Sequence, residues 1–296
     1  MSEDTRAAAI ALYDRFTHDG MDRRACMAEL TRIAGSTAAA SALLAGIAAD
    51  PAAAAVVPAD DARIVGRRMR WPVGGGRFME GYQAEPRSAK APLGAVMVIH
   101  ENRGLNAYAE DVARRVALAG YRAVAPDFLT PSGGTPADQD AARAAIGKLD
   151  LAQSAADAVA TLGLLKSLPN ANGRAGAIGF CWGGGMVNRI AVAAGPALHA
   201  GVPYYGPAPD PALAPKVEAA MLLHYAGRDA RVNATGLPWA EALKAAGKTV
   251  QSFVYPDVDH AFHNDTSAER YNAAAAQLSW QRTLDFLAAH VGGTSG

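Results

Sequence analysis

Gly179-Phe180-Cys181-Trp182-Gly183, with Gly184 and Gly185 behind it, constrains this chain more than any other stretch. Ahead of it, Arg174 to Ile178 is small and mostly apolar, the pattern of a buried strand. Behind it, Met186 to Ala194 reads as the start of a buried helix. A strand, a glycine-flanked nucleophile and a helix make a nucleophile elbow. The turn is strained and side chains at its flanks would clash, so glycines stand two before and two after Cys181. The elbow lifts the thiol above a sheet. The N-terminus of the following helix then favours a thiolate and an oxyanion alike. A small buried core cysteine is the plainer reading of Cys181. Its place between a strand and a helix outweighs that reading.

The chain has 296 residues, enough for one large core with a smaller appendage. Its formal net charge is zero, so no basic face is expected to collect phosphates and no nucleic-acid partner is predicted. Two cysteines, Cys26 and Cys181, are too few for a disulfide framework, and both are expected to be free thiols.

Residues 1–61 differ from the rest and are expected to form a helical extension and linker. Thr5 to Thr17 has helical period through Ile10, Tyr13 and Phe16, and Gly20 ends it. Asp22 caps a second helix carrying Ala25, Leu30 and Ile33. Thr37 to Ala49 is a third, and Ala52 to Asp61 reads as a linker. Arg23-Arg24 resembles a twin-arginine export pair, with Ala52 to Ala55 as a cleavage region. The pair lies late, however, and Cys26 and Met27 replace the usual bulkier residues. A folded extension on a cytoplasmic protein is therefore expected, and periplasmic export is the alternative. Ile33 to Ala49 is short and broken by Gly35, Ser36 and Gly46, so no transmembrane helix is predicted. Appended amphipathic helices must bury a face somewhere, and a homodimer through the extension is one way.

Residues 62–296 read as one domain. Arg63 to Trp71 and Arg77 to Glu85 are strands of a hairpin around Gly74-Gly75-Gly76. Leu93 to Ile99, Tyr121 to Ala125, Val202 to Tyr205, Met221 to Tyr225 and Thr249 to Tyr255 are further strands. Tyr108 to Ala119, Asp138 to Leu168 with a break near Gly147, Trp239 to Ala246 and Ala268 to His290 are helical. In the last, Leu278, Leu284 and Leu287 are expected on the core side. The alternation predicts a doubly wound, mainly parallel α/β sheet with its site at the carboxyl ends of the strands.

Cys181, Asp229 and His260 each follow a predicted strand. A histidine must take the thiol proton, and a carboxylate must hold that imidazole in the right tautomer. The order nucleophile, acid, histidine is that of the α/β-hydrolase fold. Asp229, in Ala226-Gly227-Arg228-Asp229, sits where a triad acid belongs, whereas Asp257 and Asp259 are read as loop residues. Among the other histidines, His224 lies in an apolar strand and reads as a satisfied core residue, His263 lies a loop turn beyond His260, and His100 ends a strand near the site. No H-E-x-x-H or C-x-x-C spacing occurs, so neither a metal site nor a cofactor is predicted.

G-F-C-W-G-G at the elbow, Glu101 after the third strand, Asp229 in A-G-R-D and His260 in D-H-A-F together resemble the dienelactone hydrolase family, over roughly Arg63 to Val291. The resemblance implies a triad of Cys181, His260 and Asp229. It also implies that Glu101 contacts the thiol and helps switch it between resting thiol and attacking thiolate. The backbone N–H groups of Trp182 and Asn102 would form the oxyanion hole. Better-known members hold a substrate carboxylate with two arginines. Here Phe128-Leu129-Thr130-Pro131 and Asn264 stand in those places, so dienelactone itself is not assured as substrate. Arg103, beside the oxyanion turn, is a candidate replacement, and Tyr204 and Tyr205 are candidate pocket residues.

A thiolate leaves a tetrahedral intermediate more readily than a simple alkoxide does. The expected substrates are therefore enol lactones, activated esters and thioesters rather than plain alkyl esters. A glutamine amidotransferase shares G-x-C-x-G, but its histidine is followed two residues later by Glu, and here Phe262 stands there. A thioesterase and a non-catalytic scaffold that binds through its extension are the remaining alternatives.

Overall fold

A computed structural model describes residues 2–48, 55–89 and 91–292. Most of the expected cleavage region, Ala52 to Ala55, lies outside them. Three helices come first: α1 (Glu3–His18), α2 (Arg23–Ala34) and α3 (Thr37–Ile47). Ser2, Asp22 and Ser36 cap them, each side chain accepting an N–H of the first turn. Their apolar residues, among them Leu12, Phe16, Leu30, Leu43 and Ile47, form a cluster separate from the clusters on the sheet. The three helices thus bury apolar faces on one another. No single helix among the described residues is long and apolar enough to cross a membrane.

The remaining described residues build one eight-stranded sheet, ordered β1-β2-β4-β3-β5-β6-β7-β8. Its strands are β1 (Ile64–Gly74), β2 (Arg77–Pro86), β3 (Leu93–Ile99), β4 (Arg122–Asp127), β5 (Ala171–Phe180), β6 (Ala200–Tyr204), β7 (Ala220–Ala226) and β8 (Val250–Tyr255). β2 runs antiparallel to both β1 and β4, and β3 through β8 run parallel to one another. Parallel strands need crossovers, and helices supply them. On one face lie α4 (Ala107–Leu118) and α9 (Ala273–His290). On the other lie α6 (Leu151–Ser167), α7 (Trp182–Ala193) and α8 (Ala230–Ala245), while the short α5 (Gln139–Ile146) precedes α6. Every residue of β3 and of β7 is buried, as covering on both faces requires.

Two helices depart from expectation. α8 begins at Ala230, nine residues before the expected Trp239, because Asp229 caps it by accepting the Val232 N–H at 3.1 Å. Gly236 and Pro238 disguise that helix in the sequence. α9 begins at Ala273, where Asn272 caps it. Leu278 is exposed, because the buried face of α9 carries Ser279, Thr283, Phe286 and Leu287. That face meets polar partners: Thr283 lies 2.6 Å from the Tyr204 hydroxyl and 3.1 Å from His224.

Candidate active site

Strand adjacency assembles the site. β3 and β5 pair up to Ile99 and Gly179, so the loop from His100 to Gly104 lies beside the elbow. β7 and β8 pair up to Ala226 and Tyr255, so the loops carrying Asp229 and His260 adjoin. The Arg228 N–H donates to the Val258 carbonyl at 3.1 Å and ties them together. Cys181 takes φ 53° and ψ −114°, a conformation that L residues rarely adopt. Its own N–H donates to the Tyr204 carbonyl at 3.0 Å. A Cβ on Gly183 would lie 2.5 Å from the carbonyl oxygens of Ile99 and His100, and one on Gly179 would lie 2.2 Å from the Gly183 carbonyl oxygen. The elbow can therefore sit this close to β3 only with glycine on both sides.

His260 is 2% exposed, and its Nδ1 lies 2.5 Å from Asp229 Oδ2. Its Nε2 has no hydrogen-bond partner. One ligating atom each from His18, Cys181 and His260 lies within 4.8 Å of the others. Burial works against charge on His260, but Cys181 and then Asp229 hold its pKa well above the usual imidazole range. Burial also opposes the Asp229 carboxylate, and His260 together with the Val232 N–H brings it below the usual range. At His260 the charge partners thus outweigh burial.

Glu101 departs from the contact implied for it. Its Oε2 accepts from Asn264 Nδ2 at 2.9 Å, while its Oε1 is buried without a partner. Among the described residues no hydrogen bond joins Glu101 to Cys181. Asn264, the residue that stands where better-known relatives carry an arginine, is the hydrogen-bond partner of this carboxylate. Trp182 opens α7, so its N–H is one of those a helix leaves without an internal partner. Its ring stacks on His100 at 5.4 Å. Asn102 lines the cavity above Cys181, and its side chain donates to the Thr17 carbonyl at 3.3 Å.

Of the proposed pocket residues, Arg103 lines the cavity and donates to the Tyr13 hydroxyl at 3.1 Å. Tyr204 does not line it. Its ring packs 4.8 Å from Phe180 and 4.4 Å from His224, in the core. Tyr205 stands behind the site, its ring 5.0 Å from that of His260. His224 is satisfied on both nitrogens, by Thr283 and by Tyr255. His263 bonds the Tyr108 hydroxyl at 2.8 Å, and His100 bonds the Glu101 carbonyl at 2.7 Å.

Three participants come from outside the expected set. His18, the last residue of α1, places Nε2 3.9 Å from Cys181 Sγ. Its ring lies 5.2 Å from that of His260. Desolvation, followed by repulsion from His260, Arg231, Arg270 and Arg103, lowers its pKa to about 2. Tyr13, one turn earlier on the helix, roofs the same cavity, and Arg270 forms part of its wall with its guanidinium 5.1 Å from the Tyr13 ring. The periodicity of α1 marks Tyr13 as an apolar-face residue but carries no sign of what that face covers. The cavity above Cys181 is about 20 Å³, room for one water.

A mainly parallel sheet with a cysteine elbow, and with acid and histidine loops at the ends of its last two strands, defines an α/β-hydrolase. Residues 79–291 match the Dienelactone hydrolase family. A "Putative carboxymethylenebutenolidase" of Methylorubrum extorquens is 32% identical over 283 residues, covering 88% of this chain and 94% of its own. One of the same name from Escherichia coli K12 is 32% identical, covering 81% and 92%. The crystal structure of a "Putative Dienelactone Hydrolase" from Klebsiella pneumoniae superposes with a TM-score of 0.69 at 30% identity, covering 77% of this chain and 99% of that one. The chain belongs to the dienelactone hydrolase family and is a hydrolase. The family match begins after α1, the helix that roofs this site, and after α2 and α3.

Proposed function

We propose that this protein hydrolyses lactones and activated carboxylic esters through an acyl group carried on Cys181. One observation carries the reading: Asp229 grips His260 Nδ1 at 2.5 Å, leaving Nε2 buried, unpartnered and facing Cys181. His260 takes the thiol proton, and the thiolate attacks the carbonyl carbon. The oxyanion is held by the N–H groups of Trp182 and Asn102. Collapse breaks the bond to the leaving oxygen, which takes the proton from His260. A water then gives its proton to His260, attacks the thioester and frees the acid and the thiol. Enol and phenol oxygens leave readily enough to compete with the thiolate, whereas simple alkoxides do not. Arg103 and Arg270 give the cavity a cationic lining that suits a substrate with an acid group.

A cavity of about 20 Å³ does not admit such a substrate, since ligand sites run to roughly 300–1,000 Å³. Turnover therefore requires α1 to move aside. Its contacts with the body are mostly polar: Arg6 with Glu269 at 3.0 Å, Arg103 with Tyr13, and Asn102 with the Thr17 carbonyl. The larger part of its apolar face packs on α2 and α3 instead.

The test is hydrolysis of p-nitrophenyl acetate by the wild type and by Cys181→Ala, with mass spectrometry of a quenched reaction. Turnover by the wild type alone, with one acetyl group on the peptide containing Cys181, is expected. Full activity in Cys181→Ala overturns the assignment. Inactivity of the wild type toward this ester, an enol lactone and an acyl thioester would favour the binding-scaffold reading.

A further inference from the structure

We infer that His18, Cys181 and His260 form a zinc site that fastens α1 over the nucleophile. Nothing in the local sequence announces it, because the three residues come from α1, the elbow and the loop after β8. The fold brings one nitrogen, one sulfur and one nitrogen within 4.8 Å of one another, with His18 Nε2 already 3.9 Å from Sγ.

The donor set is that of zinc. Thiolate and imidazole are its preferred ligands, and they discriminate against magnesium and calcium, which take oxygen. Zinc–sulfur and zinc–nitrogen bonds of about 2.3 and 2.0–2.1 Å set tetrahedral ligand atoms roughly 3.3–3.6 Å apart. The side chains must close in by about 1 Å, within reach of small rotations. His260 Nε2 is buried and has no hydrogen-bond partner, so the cation would satisfy an orphaned atom. Asp229 holds the other nitrogen of that ring, the carboxylate–histidine arrangement that fixes metal-binding imidazoles. Three protein ligands leave a fourth position, and the adjoining cavity of about 20 Å³ has room for one water to fill it. Arg103 and Arg270 also line that cavity and oppose a cation, while the thiolate and Glu101 offset them.

Cys181 and His260 share one proton, as thiol and imidazole or as thiolate and imidazolium. Coordination releases that single proton and changes no oxidation state. Because His18 belongs to α1, the metal bridges the roof and the elbow. It occupies the sulfur lone pair, and it holds α1 closed by mass action on that one state.

The test uses the full chain with Co²⁺ as the spectroscopic probe and Zn²⁺ as competitor. A near-ultraviolet thiolate-to-cobalt charge-transfer band is expected, lost on adding Zn²⁺ and absent in Cys181→Ala. A band that survives in Cys181→Ala places the metal at Cys26 and overturns the site. His18→Ala should weaken Zn²⁺ binding at least ~10-fold, the lower end of what even outer-shell losses cost. His18→Gln, which keeps bulk without an imidazole, repeats the measurement should the alanine variant fail to fold. Equal affinity in the His18 variant removes α1 from the site and overturns the proposal. Hydrogen exchange along residues 3–18 should slow when Zn²⁺ is added to the wild type. Unchanged exchange there refutes the fastening.

Discussion

Arg143, on α5, holds the end of α1 that carries His18. Its guanidinium lies 4.1 Å from the centroid of the Phe16 ring and donates to the Phe16 carbonyl. It touches none of the reacting groups, so Arg143→Ala tests the roof without disturbing the chemistry. A half-buried cation–π contact contributes about 0.5–2 kcal/mol, and a hydrogen bond from a charged donor about 1.5–3 kcal/mol. The two share one side chain and do not add in full, so a loss of about 2 kcal/mol from the closed state is a fair expectation. That lowers the closed-to-open ratio roughly 30-fold, at about 1.4 kcal/mol per tenfold. A substrate that binds only the open form has its apparent affinity reduced by the open fraction, and that fraction grows as α1 loosens. With the closed form dominant, kcat/KM for p-nitrophenyl acetate should rise ~10- to 30-fold. The assay is initial rate at substrate well below KM, with circular dichroism to check the fold. An unchanged or lower kcat/KM in a natively folded variant would refute the claim that α1 gates the site.

Asp229→Asn keeps a good helix cap for α8 but withdraws the charge beside His260, so kcat should fall by roughly 10³–10⁴ with little change in Tm; a loss below tenfold would remove Asp229 from the triad. Gly183→Ala drives a methyl group to 2.5 Å from two backbone carbonyl oxygens of the β3 end, and overpacking of about 1–3 kcal/mol should lower Tm by several degrees in a thermal scan. Ethyl acetate should turn over far more slowly than p-nitrophenyl acetate in parallel assays; comparable rates would contradict a thiolate nucleophile. Burial, then repulsion from Arg115, lowers the pKa of His263 to about 3, so the folded state keeps it neutral while the unfolded chain protonates it below about 6.5. A depressed histidine pKa means stability present above 6.5 and lost as pH falls toward 3. Tm should therefore drop across that window, and His263→Gln should flatten part of the drop.

The elements that position the elbow were legible because each carries its own signal. β3 and β7 are continuous apolar runs, the glycines around Cys181 answer a local steric demand, and Asp229 and His260 fall directly after strands. The limits of α8 and α9 were harder to place, because the signals conflict. Asp229 both caps α8 and faces His260, and Pro238 sits inside the helix. On α9 a buried threonine and serine face a polar core network that leucine periodicity does not report.

The roof was illegible for a different reason. Periodicity states that Tyr13 and Phe16 share a face, but not what that face covers. Two outcomes were open to an amphipathic extension: burial against a second copy, or burial on its own domain. Short-range pattern cannot choose between them, because the choice depends on surface made by residues far along the chain. Arg103, Arg143 and Arg270 make that surface, and each meets the aromatic face of α1. In sequence they read as scattered solvated charges. In the fold they converge on one helix and set His18 against Cys181. The same contacts explain how a complete-looking elbow, acid and histidine can coexist with a cavity fit for one water. In the proposed mechanism the chemistry is written locally, around Cys181, Asp229 and His260, whereas access to it is written in pairings between α1 and the body, and those pairings are what the Arg143 variant breaks.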